Sequence, residues 1–305
     1  MNTTSAKGSH LGRITVIAMH AFTQLVRMKV FYFLAVFAVI AIASNFFDLP
    51  QHEGPESVGI NVLRSIKSWS LGTMTLFSVV LSIVATALLL PKDVEDRTLY
   101  TILAKPVPRL DYLAGKLLGV LLLVFVSLAL MDGLMTLVLH IRTGIVLDQQ
   151  IEMAHGMGWP QDAINSLKTE TMAHAPNWSL QGAVFAVFLR ASIMASLALL
   201  ISTFSTSTLF TTIISFLIYF IGHFQADARD AYLQSGAVGQ GFFARLASLT
   251  MSLVLPDFQL FNVIDSVIEG QAFPLLLLAK LTLIGLFYAV FFTMASWFIF
   301  AEKEF

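Results

Sequence analysis

The sequence has few charged residues and no cysteine. Only 12% of its 305 residues are charged while 57% are hydrophobic, whereas a soluble domain carries roughly 25% charged residues. Without cysteine the chain has no disulfide, thiolate metal site or cysteine nucleophile. The net charge of -1 provides no basic surface, so we expect no nucleic-acid partner. These deficits exclude a soluble enzyme and a disulfide-stapled secreted domain, and they indicate an integral membrane protein.

Common catalytic motifs are missing as well. The chain has no G-x-x-x-x-G-K-[ST] phosphate loop, because Gly115-Lys116 lacks both the earlier glycine and the following hydroxyl. It also has neither H-E-x-x-H nor G-x-S-x-G, and its histidines never stand at the i, i+4 spacing of paired metal ligands. We therefore predict no enzyme activity, no catalytic residue, no metal site and no cofactor bound by this chain.

Long uncharged runs predict six transmembrane helices. Each run approaches the ~20 residues that cross ~30 Å of hydrocarbon, and runs of this length form helices rather than barrel strands. We therefore predict an all-α polytopic membrane protein in which residues 1–305 form one domain. The predicted spans are Val30–Phe47, Ser70–Leu90, Leu117–Leu139, Gln181–Ile201, Thr208–Gly222 and Pro274–Phe300.

The distribution of basic residues predicts the orientation. Ten Lys and Arg residues fall in the N-terminal segment, the connection between spans two and three, and the tail. Six fall on the opposite side, over much longer connections. The positive-inside rule therefore places both termini in the cytoplasm. We expect a multi-pass protein of the plasma membrane, which in a bacterium is the inner membrane.

Three segments outside the spans have a recognisable character. Residues 10–28 place apolar side chains at helical spacing, which predicts an amphipathic helix along the cytoplasmic interface. Residues 140–180 form a polar external segment whose fold the pattern does not indicate. Residues 223–273 are mixed, and Phe242–Leu255 is too short for a span, so we expect an external, re-entrant or interfacial segment.

Three charged residues fall inside the predicted spans, where an ionisable group is costly. Asp132 lies about 22 Å from the cytoplasmic end of span three, and Arg190 about 17 Å from that of span four. The two side chains could therefore pair, or each could snorkel to the outer headgroups. A third option is contact with a transported substrate or a role in a proton relay. Lys280, near the outer end of span six, is expected to snorkel outward.

The connection at residues 91–116 is the most informative segment. Pro91 and Asp93 suit a first helical turn, and prolines at 106 and 108 end the helix. Between them lies an i, i+3, i+4 apolar stripe of Leu99, Ile102 and Leu103. This predicts a short amphipathic helix held between two spans on the cytoplasmic face. The lipid interface could absorb the stripe, or the helix could dock into a groove on a cytoplasmic partner.

Several motifs in this chain resemble those of the permease subunits of type-2 ATP-binding-cassette (ABC) exporters. The strongest match is Glu95–Lys116, with Glu-Asp-Arg-Thr-Leu, Leu-Ala-Lys-Pro-Val-Pro-Arg and Asp-Tyr-Leu-Ala-Gly-Lys in order. Further matches are Leu200–Phe204, Leu255–Phe261, and Trp297-Phe298 followed by Glu302–Phe305. Within the superfamily the chain is most similar to the multicopper-enzyme-maturation branch. The long external segment at 140–180 departs from the family pattern and leaves the substrate open.

The resemblance implies a permease that works as a homodimer or heterodimer with two copies of a separate ATPase subunit. ATP and Mg²⁺ would be bound by that partner rather than by this chain. Residues 242–269 would form a re-entrant pair of external helices. The residues expected to couple to the ATPase are Glu95, Asp96, Arg97, Leu99, Ile102 and Leu103.

Two other classes of function stay open at this point. An ion-gradient-driven secondary transporter would use Asp132, Arg190 and Lys280 as coupling groups. A non-transporting assembly or maturation factor would use the external segment as its working part. The leading hypothesis is export by alternating access, and lipids, polyketides, peptides, sulfur species and ions are all possible substrates.

Overall fold

The structure, a computed structural model, describes residues 10–43, 58–95, 108–205, 207–234 and 256–302. All regular structure in these ranges is helical. The helices are α1 (His10–Val26), α2 (Lys29–Ala43), α3 (Val58–Glu95), α4 (Arg109–Gly156), α5 (Gln161–Ala173), α6 (Trp178–Phe204), α7 (Thr208–Gln234), α8 (Ile264–Ile268) and α9 (Leu275–Glu302), with a 3₁₀ turn at Gln259–Phe261.

Five of these helices, α3, α4, α6, α7 and α9, are long and apolar enough to cross a membrane. They contain the predicted spans two to five and all of the sixth except its first residue, Pro274. The all-helical class and five of the six long apolar helices are therefore confirmed. The first predicted span, Val30–Phe47, corresponds to α2, which has 15 residues in the described part of the chain. Its last four residues, 44–47, lie outside that part.

Helix α6 forms the centre of the bundle. It packs mainly against α3 and α9, with further contacts to α4 and α7. Every residue from Leu189 to Leu199 is buried, and this stretch is rich in alanine and serine. Small side chains let neighbouring backbones approach closely, which is how helices associate when lipid is as apolar as they are. In contrast, α7 and α9 leave most of their apolar surface on the outside of the bundle.

The amphipathic helix predicted at residues 10–28 is present as α1, and it packs along the beginning of α4. Two glycines of α4 make this contact close. A Cβ added at Gly119 would lie 2.6 Å from Ala21 Cβ, and one at Gly115 would lie 2.7 Å from Ile17 Cβ. Only residues without a side chain allow α1 to lie this near to α4, so α1 belongs to the helical bundle.

Helices α3 and α4 extend well beyond the predicted spans. Helix α4 has 48 residues, which corresponds to about 72 Å, more than twice the ~30 Å of the hydrocarbon core. A Cβ added at Gly59 would lie 2.5 Å from Val146 Cγ1, so the start of α3 runs beside the end of α4. The segment 140–180 is thus the end of α4, then α5 and the start of α6. We call α5, residues 58–69 of α3 and residues 140–156 of α4 the helical extension.

Two connections differ from the sequence prediction. Residues 91–95 do not begin a separate helix, because α3 continues through the buried Pro91 to Glu95. Residues 96–107, with most of the predicted coupling helix, lie outside the described residues. In the segment 223–273, residues 223–234 continue α7, and residues 256–268 contain only the 3₁₀ turn and the short α8. The predicted helix Phe242–Leu255 lies outside the described residues.

Candidate functional site: the anchor cluster around residues 96–107

Charged side chains gather at one end of the bundle, on both sides of residues 96–107. They come from the start of α1, the end of α3 and the start of α4, and one of them contacts the end of α9. We call this group the anchor cluster; it comprises His10, Arg13, Asp93, Arg109, Asp111, Tyr112 and Lys116.

A buried ion pair joins the end of α3 to the start of α4. Lys116 Nζ lies 2.7 Å from Asp93 Oδ2, and both side chains are at least nine-tenths buried. The hydroxyl of Tyr112 donates a hydrogen bond to the same carboxylate oxygen. Lys116 also lies over the Tyr112 ring, 5.7 Å from its centroid. A buried charge is tolerated only when it is paired and hydrogen-bonded, and Asp93 meets both conditions.

A second buried carboxylate holds α1 against α4. Asp111 Oδ2 lies 3.0 Å from His10 Nδ1 and accepts a hydrogen bond of 3.1 Å from Arg13 Nε. Asp111 is 2% exposed and stands in the first turn of α4, where the helix dipole favours a negative charge. Its two partners come from α1, about 100 residues earlier, and no local pattern predicts them.

Arg109 joins the start of α4 to the end of α9. Its Nη1 donates to the carbonyl oxygens of Phe300 and Ala301, at 2.8 Å and 2.5 Å. The last carbonyl groups of a helix have no partner within the helix and attract cations. The Phe300 ring also stacks on Tyr112, with 6.2 Å between the ring centroids. The anchor cluster therefore connects four helices through three carboxylate or carbonyl acceptor sites.

Of the six predicted coupling residues, only Glu95 belongs to the described part of the chain. Glu95 is the last residue of α3, and its side chain lies outside the described part. Asp96, Arg97, Leu99, Ile102 and Leu103 also lie outside it. The structure describes the ends that hold this segment: Asp93 two residues before Glu95, and Arg109 directly after Pro108, which caps α4. Sequence patterns did not single out Asp93, Tyr112 and Lys116 as one group. These side chains meet only because the end of α3 lies beside the start of α4 in the fold.

The intramembrane charges do not form the pair that their estimated depths allowed. Asp132 Oδ1 accepts a hydrogen bond of 3.2 Å from Gln181 Nε2. Since Asp132 lies opposite Gln181, Arg190 is nine residues further along α6, about 14 Å away at ~1.5 Å per residue. Lys280 is exposed on the surface of α9. The three charges thus occupy three separate places.

Arg190 instead holds the turn at residues 256–261 in place. It is 3% exposed, and its Nη2 donates a 3.1 Å hydrogen bond to the carbonyl of Phe258. The backbone N–H of Phe258 in turn donates to the carbonyl of Gly222 on α7, at 3.3 Å. Gln259 Nε2 donates to the next carbonyl, that of His223, at 2.8 Å. Residues 256–261, the described part of the Leu255–Phe261 motif, therefore link α6 to α7.

The helical extension contains buried polar groups of its own. Thr171 Oγ1 donates to Gln150 Oε1 at 2.7 Å, which fixes α5 to α4. His174, directly after α5, is 3% exposed, and its burial together with the nearby charges of Lys67 and Arg64 lowers its pKa. Lys67 is fully buried, and its Nζ makes no hydrogen bond within the described ranges. The two nearby basic side chains and the burial of His174 therefore disfavour protonation of its imidazole.

Among the described residues, no group of three or more His, Asp or Glu side chains could hold a metal ion. No family model matches the chain, and a search of curated proteins finds no match either. The fold and the sequence together define a multi-helix apolar membrane protein with several candidate transmembrane helices.

Proposed function

We propose that this chain is the membrane-spanning subunit of an ABC export system of the plasma membrane. A second permease protomer and two copies of a separate ATPase chain would complete the transporter. The ATPase would bind ATP and Mg²⁺, and this chain would reorient around the transport path. The proposal rests on the sequence resemblance at Glu95–Lys116 and on the anchor cluster.

The anchor cluster is the observation that carries the proposal. A docking segment can drive alternating access only if its displacement moves the membrane helices rather than bending a loop. The buried pair Asp93–Lys116 ties the two ends of the segment together, while Asp111 and Arg109 tie them to α1 and α9. A push on residues 96–107 would then move four helices. The energy would come from differential contact of the segment with the two ATPase states.

The alternative of an ion-gradient-driven transporter has less support. Its coupling groups would be Asp132, Arg190 and Lys280. In the structure Asp132 accepts a hydrogen bond from Gln181, and Arg190 donates one to the carbonyl of Phe258. Lys280 is exposed on the outer surface of α9. Secondary transporters usually build their ion sites from broken helices near the bilayer midplane. Helix α6 passes Arg190 without interruption. The three charges therefore do not form the joint ion site that such a transporter would need.

Co-purification with an ATPase tests the proposal. The full chain is expressed with the ATPase encoded by an adjacent reading frame, with and without Glu95→Lys combined with Leu99→Asp. We expect the double substitution to abolish co-purification and stimulation of ATP hydrolysis, because it reverses a charge and breaks the apolar stripe. The control is Glu152→Lys with Met153→Asp, which makes the same charge reversal and a similar apolar-to-acidic change at two exposed positions in the helical extension.

Two results would contradict the proposal. One is unchanged co-purification and ATPase stimulation with the Glu95 and Leu99 substitutions. The other comes from reconstituted vesicles: flux driven by a proton or sodium gradient, without a second polypeptide, would establish a secondary transporter instead. A stable complex with another protein and no ATP-dependent flux would favour the assembly role.

A further inference from the structure

A pocket of about 440 Å³ opens between α4, α6 and α9, away from the anchor cluster. Its volume falls within the ~300–1,000 Å³ typical of small-molecule sites. The lining is almost entirely apolar and aromatic. The residues that shape it are Phe125, Leu128, Asp132, Gln181, Phe185 and Phe188.

The pocket has a polar end and an apolar end. Asp132 on α4 and Gln181 on α6 face each other through a 3.2 Å hydrogen bond. Phe125 and Phe188 face each other seven residues away on the same two helices, with 5.7 Å between their ring centroids. Seven helical residues correspond to about 10 Å, so the polar pair and the aromatic pair lie at opposite ends of the pocket. The pocket therefore suits an amphiphile, with a polar head at one end and an apolar tail at the other.

With Arg109 taken as one edge of the hydrocarbon core, the polar end lies near the other edge. Asp132 follows Arg109 by 23 residues, or about 35 Å, which is close to the full thickness of the hydrocarbon core. Trp178, one helical turn before Gln181, is 70% exposed at this end. Tryptophan favours the membrane interface. A ligand could therefore enter from the bilayer with its head at the interface and its tail among the phenylalanines.

The charge of the pocket selects the head group. Among the described residues that line the pocket, Asp132 is the one charged side chain, and none is a basic side chain that could balance a phosphate or a carboxylate. A second anion beside Asp132 would be repelled. An ammonium group would instead gain a charge-assisted hydrogen bond, while its apolar body fills the pocket.

We propose that this pocket binds a hydrophobic amine, in which one ammonium group donates to Asp132 and a single chain or ring system lies between α4, α6 and α9. The site does not depend on the proposed ATPase partner. Binding would occur in the isolated chain whether or not it works in an exporter.

Photolabelling in lipid nanodiscs tests this site. The probe is a dodecylamine that carries a diazirine on its chain, and unlabelled dodecylamine, dodecanol and dodecanoate are the competitors. We expect labelled peptides from the Phe125–Asp132 and Trp178–Phe188 stretches, with dodecylamine as the strong competitor. We expect Asp132→Asn to reduce labelling by about tenfold or more, because the bond to a charged acceptor is lost.

The asparagine variant separates binding from folding. Its side-chain oxygen can still accept the Gln181 hydrogen bond, so the α4–α6 contact is retained. The control Asp148→Asn changes an exposed acid on the same helix and should label like the wild type. Equal labelling of the Asp132→Asn variant, or equal competition by dodecanoate, would overturn the proposal. So would labelled peptides elsewhere, or a second copy of the chain cross-linked over the pocket.

Discussion

Lys116 and Asp93 form a buried ion pair across the connection that carries the resemblance to ABC permeases. The contact closes a loop of chain at its base, between two helices that would otherwise be free to separate. Substitutions at this pair therefore test the anchor cluster through protein stability, without an assay of transport.

Removing one partner of this pair should destabilise the protein strongly. Lys116→Met leaves the buried Asp93 carboxylate without its cation, and such a change costs about 3–5 kcal/mol. The double variant Asp93→Asn, Lys116→Met should recover part of the loss, since the amide oxygen still accepts from Tyr112. The measurement is thermal unfolding in detergent. Lys168→Met, at an exposed site on α5, is the control and should change little. A double variant no better than Lys116→Met alone would contradict the pairing.

The close contact between α1 and α4 predicts opposite effects for two glycines of one helix. Gly119→Ala should destabilise, because the new Cβ would lie 2.6 Å from Ala21 Cβ and 2.8 Å from the Ala18 carbonyl oxygen. Gly133→Ala meets nothing within 4 Å and should be neutral or stabilise by about 0.5–1 kcal/mol, as alanine restricts the unfolded chain. Thermal unfolding and protease cleavage within α1 report both effects. Equal behaviour of the two variants would argue against tight packing of α1.

Arg190 should control the order of the turn at residues 256–261. Arg190→Gln removes the hydrogen bond to the Phe258 carbonyl, and bonds to charged groups contribute about 1.5–3 kcal/mol. We expect amide hydrogen exchange at Phe258 and Gln259 to accelerate by about tenfold or more. Lys280→Gln removes an exposed charge from α9 and should leave these amides unchanged. If both variants behave alike, Arg190 does not anchor the turn.

The stability of the helical extension should fall as the pH drops below 6.5. Burial and the charges of Lys67 and Arg64 lower the pKa of His174 from its ordinary value of 6.5, while a hydrogen bond with the backbone of Ile268 and the charge of Glu170 oppose this shift. The unfolded chain then binds a proton at a pH where the folded chain does not, so acid favours unfolding. His174→Gln should remove this component of the pH dependence between pH 7.5 and pH 5. His155→Gln, at an exposed position near the end of α4, should retain it. The same slope in all three proteins would exclude His174 as its source.

The sequence predicted the long helices well because hydropathy reports directly on burial in lipid. It did not predict the helical extension. Residues 140–156 mix apolar and charged side chains, which is typical of a loop as well as of a helix packed against another helix. The Gln150 side chain packs directly against Gly59, and this contact lets α3 lie against α4. The two residues belong to distant segments of the chain. No single window of sequence contains it.

The depths of the intramembrane charges were misjudged for a related reason. Counting from estimated helix ends gave similar depths for Asp132 and Arg190, but helices in a bundle slide along one another until their side chains fit. The hydrogen bond between Asp132 and Gln181 fixes that register. The anchor cluster was hidden in the same way, since Asp93 and Lys116 are 23 residues apart and meet only once the chain has turned back.

The unbroken length of α4 has a mechanical consequence. A helix of 48 residues with no proline inside it acts as a stiff lever that begins at the anchor cluster and ends in the helical extension. A tilt of about 10° at one end would sweep the far tip through about 12 Å, given a rod of about 72 Å. Small rotations at the base would therefore be magnified on the opposite face of the bilayer.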